Sequence, residues 1–203
     1  MSRRQLRDII ATIGLSTVAV LAAAQTGGEP VRMTAWAVNM TGSTRASTAL
    51  IDIKIDRWST DAERQRLIET FLNKGQDALL GELQDAPVKG RMKIPGYQGS
   101  DPHQYRLGWD LRYAMEFPGE DGGRRIVIAT DRYIGFWEAR NRPRSIDYPF
   151  TFIEIHLDAN GEGQGKMAVS TKLTFNKKKN LVEIENYGIE PVRLQKVHVE
   201  KSN

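Results

Sequence analysis

The stretch ALIDIKIDRW sets the terms on which this chain can fold. Ile51, Ile53 and Ile55 alternate with Asp52, Lys54 and Asp56. A period of two is the signature of a strand with one face dry and the other in water. Short runs of this kind recur between turn residues. In LGWDLRYAMEF, Trp109, Leu111, Tyr113, Met115 and Phe117 fall at alternate positions, which assigns all five to one face. The turn PGEDGG joins that run to RRIVIATD, so Leu107–Phe117 and Arg124–Asp131 form a hairpin. FTFIEIHLD and KMAVSTKLTF flank the glycine-rich DANGEGQG as a second hairpin. NKKKN then leads into LVEIEN, and YGIEP into VRLQKVHVEK, while VRMTAWAVNMTG precedes them all as a strand with mixed faces.

The period changes once. Thr60-Asp61-Ala62-Glu63 fits a capping box, in which threonine and glutamate satisfy each other's free amides at a helix start. Leu67, Ile68, Phe71 and Leu72 follow at helical spacing up to Gly75, and Leu79, Leu80 and Leu83 mark a second short helix ending before Pro87. One leucine-rich face of this pair packs on a sheet. With no parallel crossover helix and no repeat, the expected fold is mainly β (α+β). It is an antiparallel sandwich or barrel of about eight to nine strands, with an inserted helical pair near residues 60–86.

The first residues read as an export signal. Arg3, Arg4 and Arg7 precede the apolar run Ile9 to Ala24, and Ala22-Ala23-Ala24 offers a small-x-small cleavage site before Gln25. Thr12, Gly14, Ser16 and Thr17 dilute the run, which is shorter than the ~20 residues of a membrane-spanning helix. Ser2 to Leu6 also loosely resembles a twin-arginine start. The expected organisation is a cleaved signal (1–24), a flexible leader (25–30) and one β-rich domain (31–203), placed in the periplasm or secreted, with no membrane span after cleavage. The signal takes three arginines and one aspartate with it, so the formal charge falls from +4 to +2. Basic and acidic residues are interspersed, unlike the concentrated basic stripe of a nucleic-acid binder. The chain has no cysteine. That excludes thiol catalysis, iron–sulfur clusters, thiolate zinc sites and a lipoprotein anchor, and leaves stability to the core.

Chemical motifs are few. There is no G-x-S-x-G elbow, P-loop, dinucleotide fingerprint or HExxH helix, and no cofactor is implied. Asp158-Ala159-Asn160-Gly161 resembles the opening of a calcium loop, but its twelfth position is Val169 rather than a glutamate. Asn-Gly between two strands is hairpin chemistry, and a turn is the reading preferred here. The carboxylates Asp52 and Asp56 sit beside lysines as cross-strand charge pairs.

The segment FWEARNRPRSIDYPF offers the best candidate for contact. Arg140, Arg142 and Arg144 can present forked donors to a carboxylate, phosphate or sulfate, and Trp137 and Tyr148 can stack on a ring or sugar. Pro143 and Pro149 stiffen it. The competing reading is a solvated connection whose arginines pair with Glu138 and Asp147. Glu154 and His156 share a strand face with Phe150 and Phe152, and form an acid/base pair only if that face lines a cavity. The expected function is a non-enzymatic exported binding module, contacting an anionic small molecule, an aromatic ligand or an envelope component, and not nucleic acid. The alternative is a cofactor-free hydrolase or isomerase using Glu154 and His156. The sequence sets no oligomeric state.

The stretches DRWSTDAER (56–64), GWDLRYA (108–114), GGRRIVIATDR (122–132), FWEARNRPRS (136–145) and DYPFTFIEI (147–155) resemble a family of uncharacterised exported bacterial proteins. The resemblance implies export. It implies no activity, cofactor or residue role.

Overall fold

A sheet of antiparallel strands has two edges, and here those edges meet. The computed structural model describes residues 28–39, 47–96, 108–132, 134, 151–169, 173–176, 181–184 and 192–200. Its strands are β1 (Val31–Asn39), β2 (Ser47–Ile55), β3 (Gly90–Lys93), β4 (Trp109–Pro118), β5 (Arg124–Thr130), β6 (Thr151–Leu157), β7 (Glu162–Val169), β8 (Leu173–Asn176), β9 (Leu181–Ile184) and β10 (Val192–Val199). Eight of them close in the order β1-β10-β7-β6-β5-β4-β3-β2, all antiparallel, and β8 and β9 form a separate two-stranded sheet. The fold is therefore a barrel rather than a sandwich. Pairing of β1 with β10, from Met33 opposite Val199 to Val38 opposite Arg193, leaves the main sheet no open edge. No helix among the described residues is long and apolar enough to cross a membrane.

The alternation of Ile51, Ile53 and Ile55 appears as expected, with each isoleucine fully buried inside the barrel. Met33, Met92, Leu111, Ile126, Ile128, Ile153 and Ile155 join them in one core. An eight-stranded barrel has an interior just wide enough for side chains to fill, and these bulky residues fill it. Gly90 lets β3 lie close against β2, since a Cβ there would fall 2.0 Å from the Lys54 carbonyl oxygen.

The single-face assignment of Trp109 to Phe117 needs correction. The β4–β5 register shifts between Leu111 and Tyr113. Trp109 and Leu111 point into the barrel, Ala114 takes the next inward place, and Tyr113, Met115 and Phe117 turn to the outer wall. A bulge of this kind inserts one residue and swaps the faces beyond it. The Ser59 backbone N–H donates to the Ala114 carbonyl at 2.6 Å, and the Ala114 N–H donates to Ser59 Oγ at 3.1 Å. Ser59 thus stands in for a strand partner at the irregular position.

Two helices cover the apolar outer wall, α1 (Asp61–Lys74) and α2 (Gln76–Asp85). The predicted capping box is present: the Glu63 N–H donates to Thr60 Oγ1 at 3.2 Å and the Thr60 N–H to Glu63 Oε2 at 2.7 Å. Gly75, at φ 85°, ends α1. Leu79 and Leu83 pack on Tyr113, Met115 and Ala129 as a second core, flanked by Leu67, Phe71, Phe117, Val127 and Phe152. Leu72, assigned to the same face by its spacing, lies exposed. Two further differences concern strand limits. The four-residue β3 has no counterpart in the sequence reading, and KMAVSTKLTF divides, with β7 ending at Val169 and β8 starting at Leu173.

One ion pair locks α1 to the barrel. Lys89 is buried, and its Nζ donates to Glu63 Oε1 at 2.6 Å. Burial pushes the Glu63 carboxyl up, but the hydrogen bonds from Lys89 and Thr60 outweigh it and hold the group below its usual value of 4.5. A depressed folded value means that this stabilisation is complete above the unfolded value and is lost as pH falls through the folded one. Glu63→Gln keeps the capping geometry but leaves the Lys89 ammonium without its counter-charge. We expect it to cost about 1–3 kcal/mol at pH 7 in urea unfolding. The gap to the parent should narrow as pH drops below 4.5, and equal stability at pH 7 would show that the pair contributes nothing.

Candidate functional site

Antiparallel alternation sorts the connections between the two ends of the barrel. The helical insert and the tight turns Pro118–Arg124 and Leu157–Glu162 lie at one rim. At the other rim lie the strand ends that bound 40–46, 94–108, 131–150 and 170–191. The arginine segment falls in sequence between β5 and β6, whose neighbouring ends lie at this second rim. Trp137, Arg140, Arg142, Arg144 and Tyr148 themselves lie outside the described residues, as do Pro143 and Pro149.

The two feet of that connection are described and firmly built. Thr130 and Thr151 are fully buried. The Thr151 N–H donates to Thr130 Oγ1 at 3.1 Å, that hydroxyl donates to the Arg132 carbonyl at 2.5 Å, and the Ile134 N–H donates to Thr151 Oγ1 at 3.2 Å. Two hydroxyls thus replace ladder bonds where the strands part, and they turn Ile134 into the barrel core. Arg132 Nη2 donates to the Gly108 carbonyl at 3.0 Å, which ties the same foot to the start of β4. Beside it, Arg112 Nε donates to Asp131 Oδ2 at 2.8 Å and Arg112 Nη1 donates to the Ala86 carbonyl at 2.9 Å, so the C-terminal end of α2 is held to the end of β5. Asp131 Oδ1 is buried and has no hydrogen-bond partner among the described residues.

Among the described residues, Glu154 and His156 line neither the slot beneath the helices nor the cleft on β1–β3. The alternation that buries Ile153 and Ile155 turns them to the outer wall, where the His156 side chain is 59% exposed. Their side chains approach to 3.2 Å, and Arg125 Nη1 lies 3.3 Å from the same Glu154 oxygen. Across the next strand Glu154 stands opposite Lys166. Among the described residues nothing encloses this pair, as an acid/base role would need.

The DANG stretch is a turn. Asp158 Oδ1 accepts the N–H groups of Asn160 and Glu162 at 2.8 and 3.0 Å, and Gly161 takes φ 83°. The Glu162 amide, with the others behind it, holds the Asp158 carboxyl below its usual value. Among the described residues no group of three His, Asp or Glu side chains is placed to hold a metal. On the outer face of β1–β3 a shallow cleft of about 370 Å³ is lined by Arg32, Lys54 and Arg91 among others. These three pair with Asp52, Asp56 and Asp110 at 2.7, 2.6 and 2.9 Å, so charge there is largely balanced.

One feature escapes the sequence reading. Between the helical pair and the outer wall runs an apolar slot of about 60 Å³, lined by Leu67, Ile68, Leu79, Leu83, Tyr113, Phe117, Val127, Ala129 and Phe152, with Arg64 also in its lining. A signal for it did exist. Val127 and Ala129 are apolar at positions that a water-facing strand fills with polar residues, which implies a covered face. Burial raises the Tyr113 hydroxyl well above its usual value of 10, and that hydroxyl donates to the Met115 sulfur at 3.2 Å. Comparison with protein-family models, curated proteins and solved structures finds no match for this chain.

The threonine pair makes the rim testable. Thr151→Val removes an acceptor for the Ile134 amide while keeping the shape of the side chain. We expect a loss of about 1–2 kcal/mol in thermal or urea unfolding, as for a buried amide left unsatisfied. An unchanged midpoint would show that the feet of the β5–β6 connection are held by other means.

Proposed function

We propose that this chain is an exported, non-enzymatic binding module. It contacts an anionic or aromatic ligand, or an anionic component of the envelope, through the rim that carries the longer connections. Arg140, Arg142 and Arg144 supply the charge, and Trp137 and Tyr148 supply stacking surface. The observation that carries this reading is the filled barrel: its interior is a packed core of isoleucine, leucine and methionine, which leaves the rims and outer wall for contact. One rim is closed by two tight turns and the helical insert. At the other, the ends of β5 and β6 between which the arginine segment falls in sequence are held by Thr130, Thr151 and Arg132. Fixed feet reduce the ordering cost of a binding connection. Export rests on the basic start and the apolar run that follows it. The exposed setting of Glu154 and His156 favours binding over acid/base catalysis.

Replacing Arg140, Arg142 and Arg144 together by glutamine tests the reading. Unfolding should be unchanged within about 0.5 kcal/mol, as for surface substitutions. Co-sedimentation with anionic vesicles, and capture on a sulfated or phosphorylated matrix, should fall at least about tenfold. Capture equal to that of the parent protein would defeat the proposal.

A further inference from the structure

We infer that the outer face of β1 and β10 around Trp36 is a saccharide-binding site, and that it takes a uronic acid. This site stands on the described residues alone and is independent of the arginine segment. Alternation along β1 buries Met33, Ala35 and Ala37 and turns Trp36 outward, where it is 44% exposed. Of the three large apolar side chains exposed among the described residues, it is the only aromatic one. Register sets Leu50 of β2 beside it on one side and Gln195 of β10 on the other. Because β1 is paired along both edges, this face offers a partner no free backbone ladder. Recognition there uses side chains.

The polar part of the site comes from an irregularity in β10. Its register against β1 shifts between Thr34 and Trp36, and against β7 between Leu194 and Val197. Leu194 and Val197 are buried, and the two residues between them, Gln195 and Lys196, are both exposed. The bulge thus sets an amide and an ammonium in succession on the outer wall beside an indole. Lys196 takes φ 49°, a left-handed conformation that glycine reaches without strain and lysine does not. The chain therefore carries a lysine where glycine would be the less costly residue. Acidic residues on β7 and β2 do not claim it, since Glu162 is held by His198 and Asp52 by Arg32. The electron-rich face of an indole attracts the C–H bonds of a pyranose ring. Gln195 has donors and an acceptor for the hydroxyls around that ring, and Lys196 has the charge for a carboxylate. A wholly apolar ligand would cover both polar groups without pairing either.

Calorimetric titration of the folded protein with trigalacturonate and with its methyl ester tests the inference. Trigalacturonate should bind at least about threefold more tightly than the ester in low salt, a margin within reach of one exposed ion pair. Screening should remove that margin at high salt. Trp36→Ala should abolish binding of both ligands in protein that circular dichroism shows to be folded. Lys196→Gly should bind the two ligands alike, and its unfolding temperature should equal or exceed that of the parent, since the substitution relieves the left-handed strain. A lysine that served only the fold would not separate binding from stability in this way. The glutamine triple variant of Arg140, Arg142 and Arg144 should bind trigalacturonate as the parent does. No binding at millimolar concentration, a parent-like preference in Lys196→Gly, loss of binding in the triple variant, or a dimer that Trp36→Ala dissociates without any saccharide binding would each overturn the inference.

Discussion

The register shift in β4 is the constraint on which the rest of the molecule depends. Before it, Trp109 and Leu111 serve the interior of the barrel, and after it Tyr113, Met115 and Phe117 serve the outer wall. A strand with unbroken alternation would drive all five into an eight-stranded barrel that is already full. By turning three of them outward, the bulge relieves the interior and creates an apolar external face that water cannot cover cheaply. The helical pair answers that need. Ser59, at the entry to α1, is hydrogen-bonded to Ala114 just beyond the bulge, so the cover is attached at the irregularity that requires it.

Two cores of different character result. The inner one packs buried isoleucines, leucines and methionines into one cluster. The outer one is shared between short helices and a sheet face, and its fit leaves a slot. Besides that apolar packing, polar contacts fix its ends: the Glu63–Lys89 pair at the start of α1, and the Arg112 bridge from Ala86 to Asp131 at the end of α2. The barrel supplies rigidity, and the surfaces around it supply opportunity for contact.

Much of the fold could be read from the residues because strands and helices impose different periods. Ile51, Ile53 and Ile55 announced their face, Thr60 and Glu63 their cap, and Gly75 the end of α1. The closure of the barrel could not be read, since it depends on pairing β1 with β10 across nearly the whole chain, a contact without local signature. The bulge was hidden because alternate apolar residues look the same whether they serve one face or two. β3 was missed because four residues hold too little pattern to reveal a period. At the level of sites, alternation about Ile153 and Ile155 already implied that Glu154 and His156 share the opposite face. Whether that face lined a cavity needed the closed sheet. The slot needed more still, because it exists only between elements.

Among the described residues, empty apolar space lies outside the barrel, beneath the helices. Xenon enters apolar cavities lined by leucine, isoleucine and phenylalanine, and crystals of the protein pressurised with it would locate such space directly. The account predicts xenon density among Leu83, Ala129 and Phe152, with none among Ile53, Ile126 and Ile153. Density inside the barrel, with the slot unoccupied, would contradict it.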